Sequence, residues 1–436
     1  EKKYPQLIEK TKKEKKLKRE DIDWIDFKNL SFSDKTPKIE VGLIDKAHKI
    51  TFLTNKSFKI LNKNHQKIFQ GISKKEYTIK YINNNYTIYH KDKVIKSFYQ
   101  KQPIIIKSIQ TDHFSFILYN VKYGNGYFWG GNEDRQYRGK LHLKPVSTNS
   151  FNVINQIKMT EYLISVVPAE MPAWWPKEAL KAQSIAARSY ALNNLNRHQH
   201  EGYDLCDSVH CAVYKGIESE NYRTTEAVLA TQGEVATYKE DIINAVFSSN
   251  SGGYTESSYH VWTSKKPYLT GVSNMTNNKT FPMQPYQLKD WLCKKPPSFS
   301  NNPKYAGYNK YRWTKIIPAK YFIDKYNLNQ LTNIIPLTKS PGGSIKKILI
   351  KGSSKEITIE KDAIRSAFGG LRSNRFVINK IYDSNNILKN LIFYGGGWGH
   401  NVGLDQTASA DMAQKGYKYD DIISHFYPNT KIEKKF

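Results

Sequence analysis

From residue 38 to residue 108 the chain alternates apolar and polar positions in short runs. Ile50-Thr-Phe-Leu-Thr54, Tyr77-Thr-Ile-Lys-Tyr81, Tyr86-Thr-Ile-Tyr89 and Ile104-Ile-Ile-Lys107 are separated by Asn, Lys and Gly clusters. A period of two bounded by turn residues predicts strands, so this stretch reads as a small β-rich module. Further strands are predicted over Phe114–Tyr119 and Gly139–Leu143. At Met159 the period lengthens. Thr160 is placed to cap a helix from Glu161 to Val167, with Pro168 expected to stop it. A second helix is expected to open at Pro176, because a first turn tolerates proline, and Ala179, Gln183, Ala186 and Tyr190 then share one face. Its alanines (Ala179, Ala182, Ala186, Ala187, Ala191) allow close backbone approach, as in a helix running through the middle of a domain.

Ile242–Phe247 reads as an apolar strand, and residues 274–345, rich in Pro, Asn and Lys, as an insertion with a helix over Pro285–Leu292. Strands resume at Ile345–Ile350 and Arg375–Tyr382, and a glycine-dense turn at 394–403 precedes a helix from about Thr407 to Lys415. The fold class predicted is α+β. The organisation expected is a basic arm over residues 1–35, a β-rich module over 36–130, and a larger domain over 131–436 that carries the insertion and a central alanine-rich helix.

Composition changes this picture in three ways. Lys+Arg 67 against Asp+Glu 39 leaves a formal charge of +28, which favours anionic partners. No helix-turn-helix, RNP or zinc-finger pattern accompanies the charge, so nucleic acid is not an expected partner. No run approaches the roughly 18 apolar residues of a membrane-spanning helix. Three cysteines, Cys206, Cys211 and Cys293, are too few for a disulfide-built scaffold. The first residue is Glu1, and an export signal or anchor is expected to lie outside the given chain.

The candidate chemistry is local. Glu170, in Ala169-Glu-Met-Pro172 between the two expected helices, can be held rigidly by both. Arg188 lies one helical strip from Lys181, Ser184 and Ile185 and can turn its guanidinium toward a site or else into a surface salt bridge. Ser248-Ser-Asn-Ser-Gly-Gly-Tyr-Thr-Glu256 predicts a tight turn, either one that offers donors near Ser251 and Gly252 to a polar ligand or an ordinary polar turn. His400 is presented among glycines at 395, 396, 397, 399 and 403. Cys206-Asp-Ser-Val-His-Cys211, with His198 and His200 upstream, offers thiolates and imidazoles to zinc, or else forms a Cys206–Cys211 disulfide or two buried thiols.

Taken together, Met159-Thr-Glu-Tyr-Leu-Ile-Ser-Val-Val-Pro-Ala-Glu-Met-Pro172, Ala179-Leu-Lys-Ala-Gln-Ser-Ile-Ala-Ala-Arg-Ser-Tyr190, Phe247–Glu256 and Gly397-Trp-Gly-His-Asn-Val-Gly403 resemble the SpoIID/LytB family of sporulation and amidase-enhancer proteins, in the family's order. Weaker similarity runs through Tyr137-Arg-Gly139, Val261-Trp262 and Pro267-Tyr-Leu269. The resemblance implies a lytic transglycosylase of peptidoglycan, with Glu170 as its acid and base and 1,6-anhydro-N-acetylmuramic acid as the new end. It implies substrate contacts from Arg188, Tyr190, Ser251, Gly252 and His400, and preferred strands denuded of stem peptides. No cofactor is expected for catalysis; a structural zinc would use Cys206, His210, Cys211 and His200. The partners implied are glycan strands and an N-acetylmuramoyl-L-alanine amidase, outside the cytoplasm. The alternative is a wall-binding amidase enhancer without catalysis. The family's Gly-His-Gly-Val-Gly-Met-Ser-Gln stands here as Gly399-His-Asn-Val-Gly-Leu-Asp-Gln406, a departure at Asn401 and Asp405. A hydrolase would instead need a second carboxylate, for which Asp204, Asp207, Glu256 and Asp405 are the candidates.

Overall fold

The computed structural model describes residues 35–110, 114–123, 130–262, 264–276 and 285–436. The basic arm expected over residues 1–35 lies almost wholly outside them. The content is mixed, 23% helical and 40% strand, in keeping with α+β. The chain forms two compact units. The first takes residues up to Glu170 together with Asn194–Glu220; the second takes Met171–Asn193 and Asn221–Phe436.

The first unit is built on strands β1 (Lys38–Ala47), β2 (Lys49–Thr54), β3 (Phe58–Leu61), β4 (Lys67–Gly71), β5 (Glu76–Ile82), β6 (Asn85–His90), β7 (Lys93–Tyr99), β8 (Ile104–Ser108), β9 (Ser115–Tyr123), β10 (Gly131–Arg138), β11 (Lys140–Pro145), β12 (Phe151–Lys158) and β13 (Leu205–Cys206). Seven make one sheet in the order β13-β1-β12-β11-β8-β3-β4, and six make another in the order β10-β9-β2-β5-β6-β7. Rings from the two sheets meet, Phe52 edge-on to Phe58 with centroids 5.4 Å apart, and Tyr86 tilted by 30° against Phe151 at 6.0 Å. The alternation read from the sequence is the cause: in β5 and β6 Tyr77, Ile79, Tyr81, Tyr86 and Ile88 all turn inward and are buried. The boundary expected near residue 130 does not divide the sheets, since β11 and β12 lie inside the first one. A period-two pattern marks strands but does not say which sheet they join.

From β12 the chain enters helix α1 (Met159–Glu170), which buries Leu163, Ile164, Val166 and Val167. The helix runs through Pro168 instead of stopping before it. Near a C-terminus a missing N–H removes only one late intrahelical bond, so proline there is tolerated at lower cost than in mid-helix.

The second unit is organised around helix α2 (Lys177–Asn193), whose small residues are buried on nearly all sides. Ala182, Ile185, Ala186 and Tyr190 share a core with Ala236, Ile243, Leu404, Ala408, Met412, Ile423 and Phe426. Helix α3 (Tyr222–Ala230) and strand 234–238 also pack on it. Bulkier residues on α2 would push these neighbours away, so the alanines are what make a central helix possible. The stretch expected as an insertion, 274–345, is well structured among its described residues. Its strand Arg312–Pro318 pairs with Leu388–Gly396, and its strand Leu331–Lys339 with Ile345–Gly352. Around them lies a second core of Trp313, Phe322, Ile348, Phe368, Phe376 and Phe393. The Ile242–Phe247 strand breaks in two. Asp241–Ile242 pairs with the strand before it and Phe247–Ser248 with Leu404–Asp405, while residues 243–246 make tight local turns.

Candidate functional site

Glu170 is the last residue of α1, not a member of a loop between helices. Its side chain is half-buried, and its Oε1 accepts a hydrogen bond of 2.9 Å from the backbone N–H of Val213. A rigid helix and a fixed main-chain donor therefore set the direction of the carboxylate. The four other carboxylates considered as catalytic partners are each committed elsewhere. In the first unit, Asp204 accepts from the amides of Glu40 and Asn196, and Asp207 pairs with Arg135 at 2.9 Å. In the second, Glu256 is fully buried against Arg375 at 2.9 Å and Ser340 Oγ at 2.8 Å. Asp405 caps the helix that follows it through Ala408 N–H, and its other oxygen accepts from Ser251 N–H, Ser251 Oγ and Ser300 Oγ, each at 2.7 Å.

The residues expected to bind substrate all lie in the second unit, and the structure places them differently from expectation. Arg188 is 0% exposed and donates to the carbonyls of Glu234 (2.8 Å) and Val228 (3.2 Å), so it ties α2 to α3 and the following strand instead of facing a ligand. Tyr190 sits in the core with its ring edge-on to Phe247. Ser251 spends both its donors on Asp405, and Gly252 N–H donates to Asn250 Oδ1 at 2.7 Å. Gly252 has φ 72°, and a Cβ there would come within 2.8 Å of the Gly396 backbone, so this glycine serves a close crossing of two main-chain segments. The donors that the sequence offered to a ligand are thus used to lock one loop to another.

His400 is half-buried beside Trp262, with ring centroids 5.0 Å apart. Val402 N–H donates to its Nδ1 at 3.0 Å, which places the ring proton on Nε2. Burial, with Arg365 adding to it, pulls the imidazole pKa down to about 4. The ring is therefore neutral at pH 7, a hydrogen-bonding group and not a cation. It lines a small pocket with His260, Asp362, Arg365, Asn374 and Asn401.

In the first unit His198 Nε2, Cys206 Sγ, His210 Nδ1 and Cys211 Sγ converge within 4.8 Å of one another. Cys211 Sγ lies 3.4 Å from His198 Nε2 and 3.8 Å from His210 Nδ1, and Cys206 Sγ lies 3.7 Å from His210 Nδ1. Zinc bonds of about 2.3 Å to sulfur and 2.0–2.1 Å to nitrogen imply tetrahedron edges of about 3.3–3.8 Å, so the donor set fits that ion. The cysteines are not bridged, which sets aside the Cys206–Cys211 disulfide. His198 takes the place expected for His200: a ring stacked on Tyr203 brings it inward, and Glu201 lies 3.8 Å from its Nδ1. Hydrogen bonds from Cys211 and Ser208 push the Cys206 thiol below its ordinary range, so a thiolate is favoured there.

A family model described as stage II sporulation protein matches residues 147–238, and one for a domain of unknown function, DUF8618, matches residues 256–403. The chain is 30% identical over 314 residues to stage II sporulation protein D of Bacillus subtilis (strain 168), covering 67% of this chain and 80% of the relative. The chain belongs to the SpoIID family. It is also similar to the amidase enhancer of the same organism, at 27% identity over 62% of this chain and 40% of that protein. A third relative, described as uncharacterized, comes from Brachyspira hyodysenteriae and is 29% identical over 68% of this chain and 72% of its own length.

Within this SpoIID-family chain, the motif reading singled out mainly buried residues and passed over exposed aromatic ones. Trp174, four positions after Glu170 in the chain, is 55% exposed and stacked on Tyr305 at 5.7 Å. Trp398 is 38% exposed with the Arg372 guanidinium over its ring at 4.2 Å. Exposed rings of this kind suit the flat faces of sugars. The available signal was position: Trp174 follows the Ala169–Pro172 motif, and Trp398 lies inside Gly397–Gly403.

Proposed function

We propose that this protein is a lytic transglycosylase that cleaves the bond between N-acetylmuramic acid and N-acetylglucosamine in peptidoglycan strands, with Glu170 as the single acid and base. The observation that carries the reading is the placement of Glu170: half-buried, it ends helix α1 inside the Ala169–Pro172 motif, and Val213 N–H fixes the direction of its Oε1 at 2.9 Å. The four candidates for a second carboxylate, Asp204, Asp207, Glu256 and Asp405, each hold structural partners. A hydrolytic glycosidase needs two carboxyl groups, while intramolecular attack needs one. Glu170 donates its proton to the glycosidic oxygen as the bond from the anomeric carbon breaks. The carboxylate so formed takes the proton of the muramic C6 hydroxyl as that oxygen bonds to the same carbon, which closes the 1,6-anhydro ring and restores the acid. Effective molarity favours this closure over attack by water when the ring is held in place. In the second unit, exposed Trp174 and Trp398 offer ring faces on which sugars can stack.

Zinc, where bound, would be held by His198, Cys206, His210 and Cys211, and four protein ligands leave no open position, so its contribution is to the folding of the 194–220 segment. Strands without stem peptides, a site of action outside the cytoplasm and a role in sporulation belong to the same proposal. Likeness to an amidase enhancer supports a second reading, a wall-binding protein that assists an amidase without cutting glycan.

The deciding experiment digests denuded glycan strands with purified protein and identifies the new ends by mass spectrometry after borohydride treatment. Anhydro ends, which borohydride cannot reduce, are expected from the parent protein, and none from Glu170→Gln, which still binds the strands. Reducible ends throughout would sink the transglycosylase reading, and binding without any new ends would favour the enhancer.

A further inference from the structure

The register of the seven-stranded sheet assembles lysines from remote parts of the chain into one row. Lys140 on β11 stands opposite Gln156 on β12. The β11–β8 register, with Leu141 opposite Ile106, places Lys140 opposite Lys107, and on β3 Lys59 stands opposite Lys107 in turn. Two residues along β12 from Gln156, Lys158 is paired with Lys38 on β1, and these two cations belong to the neighbouring row. Directly opposed residues, and residues two apart on one strand, share a sheet face, so all five cations lie on the same side. The other side carries the buried Ile39, Ile157, Leu141, Ile106 and Ile60. Three directly opposed lysine pairs result, and such pairs are unfavourable to the sheet itself. Among the described residues, Lys38, Lys59, Lys107 and Lys140 form no ion pair with a carboxylate. The acid of that face, Glu40, is already taken by His142 and Lys144. Burial and the neighbouring cations Lys38 and Lys107 pull Lys140 below its ordinary range, as a site lacking its counter-charge would.

We propose that the row Lys140, Lys107 and Lys59 binds a linear phosphodiester polymer of the poly(glycerol phosphate) kind, laid across strands β11, β8 and β3. These three cations form a row one residue deep on strands about 4.8 Å apart, which presents charge along a line. That arrangement complements a chain of phosphates. A membrane would call for cations spread over a plane with apolar side chains ready to insert, whereas Lys59, Lys107 and Lys140 stand in one line and are half-buried. The inference does not depend on the chemistry at Glu170.

The test measures binding of the full chain to labelled poly(glycerol phosphate) as salt is raised. With three lysines engaged, the affinity is expected to fall about 20-fold between about 50 and 200 mM salt, by analogy with counterion release from single strands. Removing the three charges together (Lys59→Gln, Lys107→Gln, Lys140→Gln) should weaken binding at low salt and remove most of that fall. The matching arginine triple keeps the charges and should bind like the parent. Cleavage of soluble denuded glycan should be the same in all three proteins, which separates this site from the enzyme reading. The proposal is overturned if the glutamine triple binds like the parent, or if the arginine triple binds no better than the glutamine one. It is overturned equally if a control triple at exposed Lys265, Lys289 and Lys320 loses as much affinity, or if anionic phospholipid vesicles but not the polymer are bound through the row.

Discussion

Arg188 carries a charge into a place without solvent, and two carbonyl oxygens, those of Glu234 and Val228, receive its protons. Burial lowers its pKa to about 10, still far above neutrality, so it stays charged. Arg188→Ala leaves both acceptors buried and unpaired beside a cavity, and a loss of about 3–5 kcal/mol is expected in urea unfolding. Arg188→Met fills the space and should lose less. A variant of normal stability with impaired glycan cleavage would instead return Arg188 to the substrate. His400 makes a second residue-level prediction. Its folded pKa lies near 4, below the ordinary 6.5, so its contribution to stability is present above pH 6.5 and is lost as the pH falls through 4. The expected loss over that window is about 2–3 kcal/mol after discounting for its partial exposure. His400→Gln should flatten that part of the stability curve, as followed by thermal melts across the pH series.

At the scale of elements, the segment from Asn194 to Tyr214 has little regular structure, and polar side chains hold it together. Asp204 accepts from Glu40 N–H at 2.8 Å, and Tyr203 reaches Asp45 at 3.1 Å. Such a segment gains most from a metal tie, because a closed site adds folding free energy directly. Protein purified without added metal is expected to carry about one zinc per chain. His198→Ala should lower that content well below half and bring unfolding of the first unit to lower temperature, whereas His200→Ala should leave both unchanged. Elemental analysis with calorimetry checks the pair of variants. A zinc content that fell with His200→Ala and not with His198→Ala would reject the ligand set.

For the whole molecule, connectivity sets what can be separated. The chain passes from one unit to the other after Glu170, after Asn193 and after Glu220, so neither unit is a continuous segment. A chain cut after residue 220 retains the whole first unit but leaves α2 without Ala236, Ile243, Leu404, Met412 and Phe426, the residues that bury it. Exposure of that many apolar contacts is expected to make the fragment aggregate, in contrast to the monodisperse full chain, on size-exclusion chromatography. A monodisperse fragment with the full chain's ellipticity from α2 would contradict the account.

The amino-acid sequence by itself determined the elements and the family. Strands β2, β5, β6, β8 and β11, helix α2 and the helix at Gln406–Gln414 follow from repeats of two and 3.6 residues, and those repeats are written within each segment. The ordered motifs singled out Glu170, and the cysteines and histidines near residue 206 announced a cluster with the donor atoms to hold a metal. Only the tertiary structure decided which histidine completes that cluster, since His198 and His200 are alike in type and two positions apart, and the Tyr203 stack selects the first. It likewise turned Arg188, Ser251 and Gly252 from ligand-facing groups into internal ties, and it brought Lys59, Lys107 and Lys140 into one row. The physical reason is range. Periodicity is a property of neighbouring residues, whereas the group that meets a given side chain is set by register and packing between segments far apart in the chain.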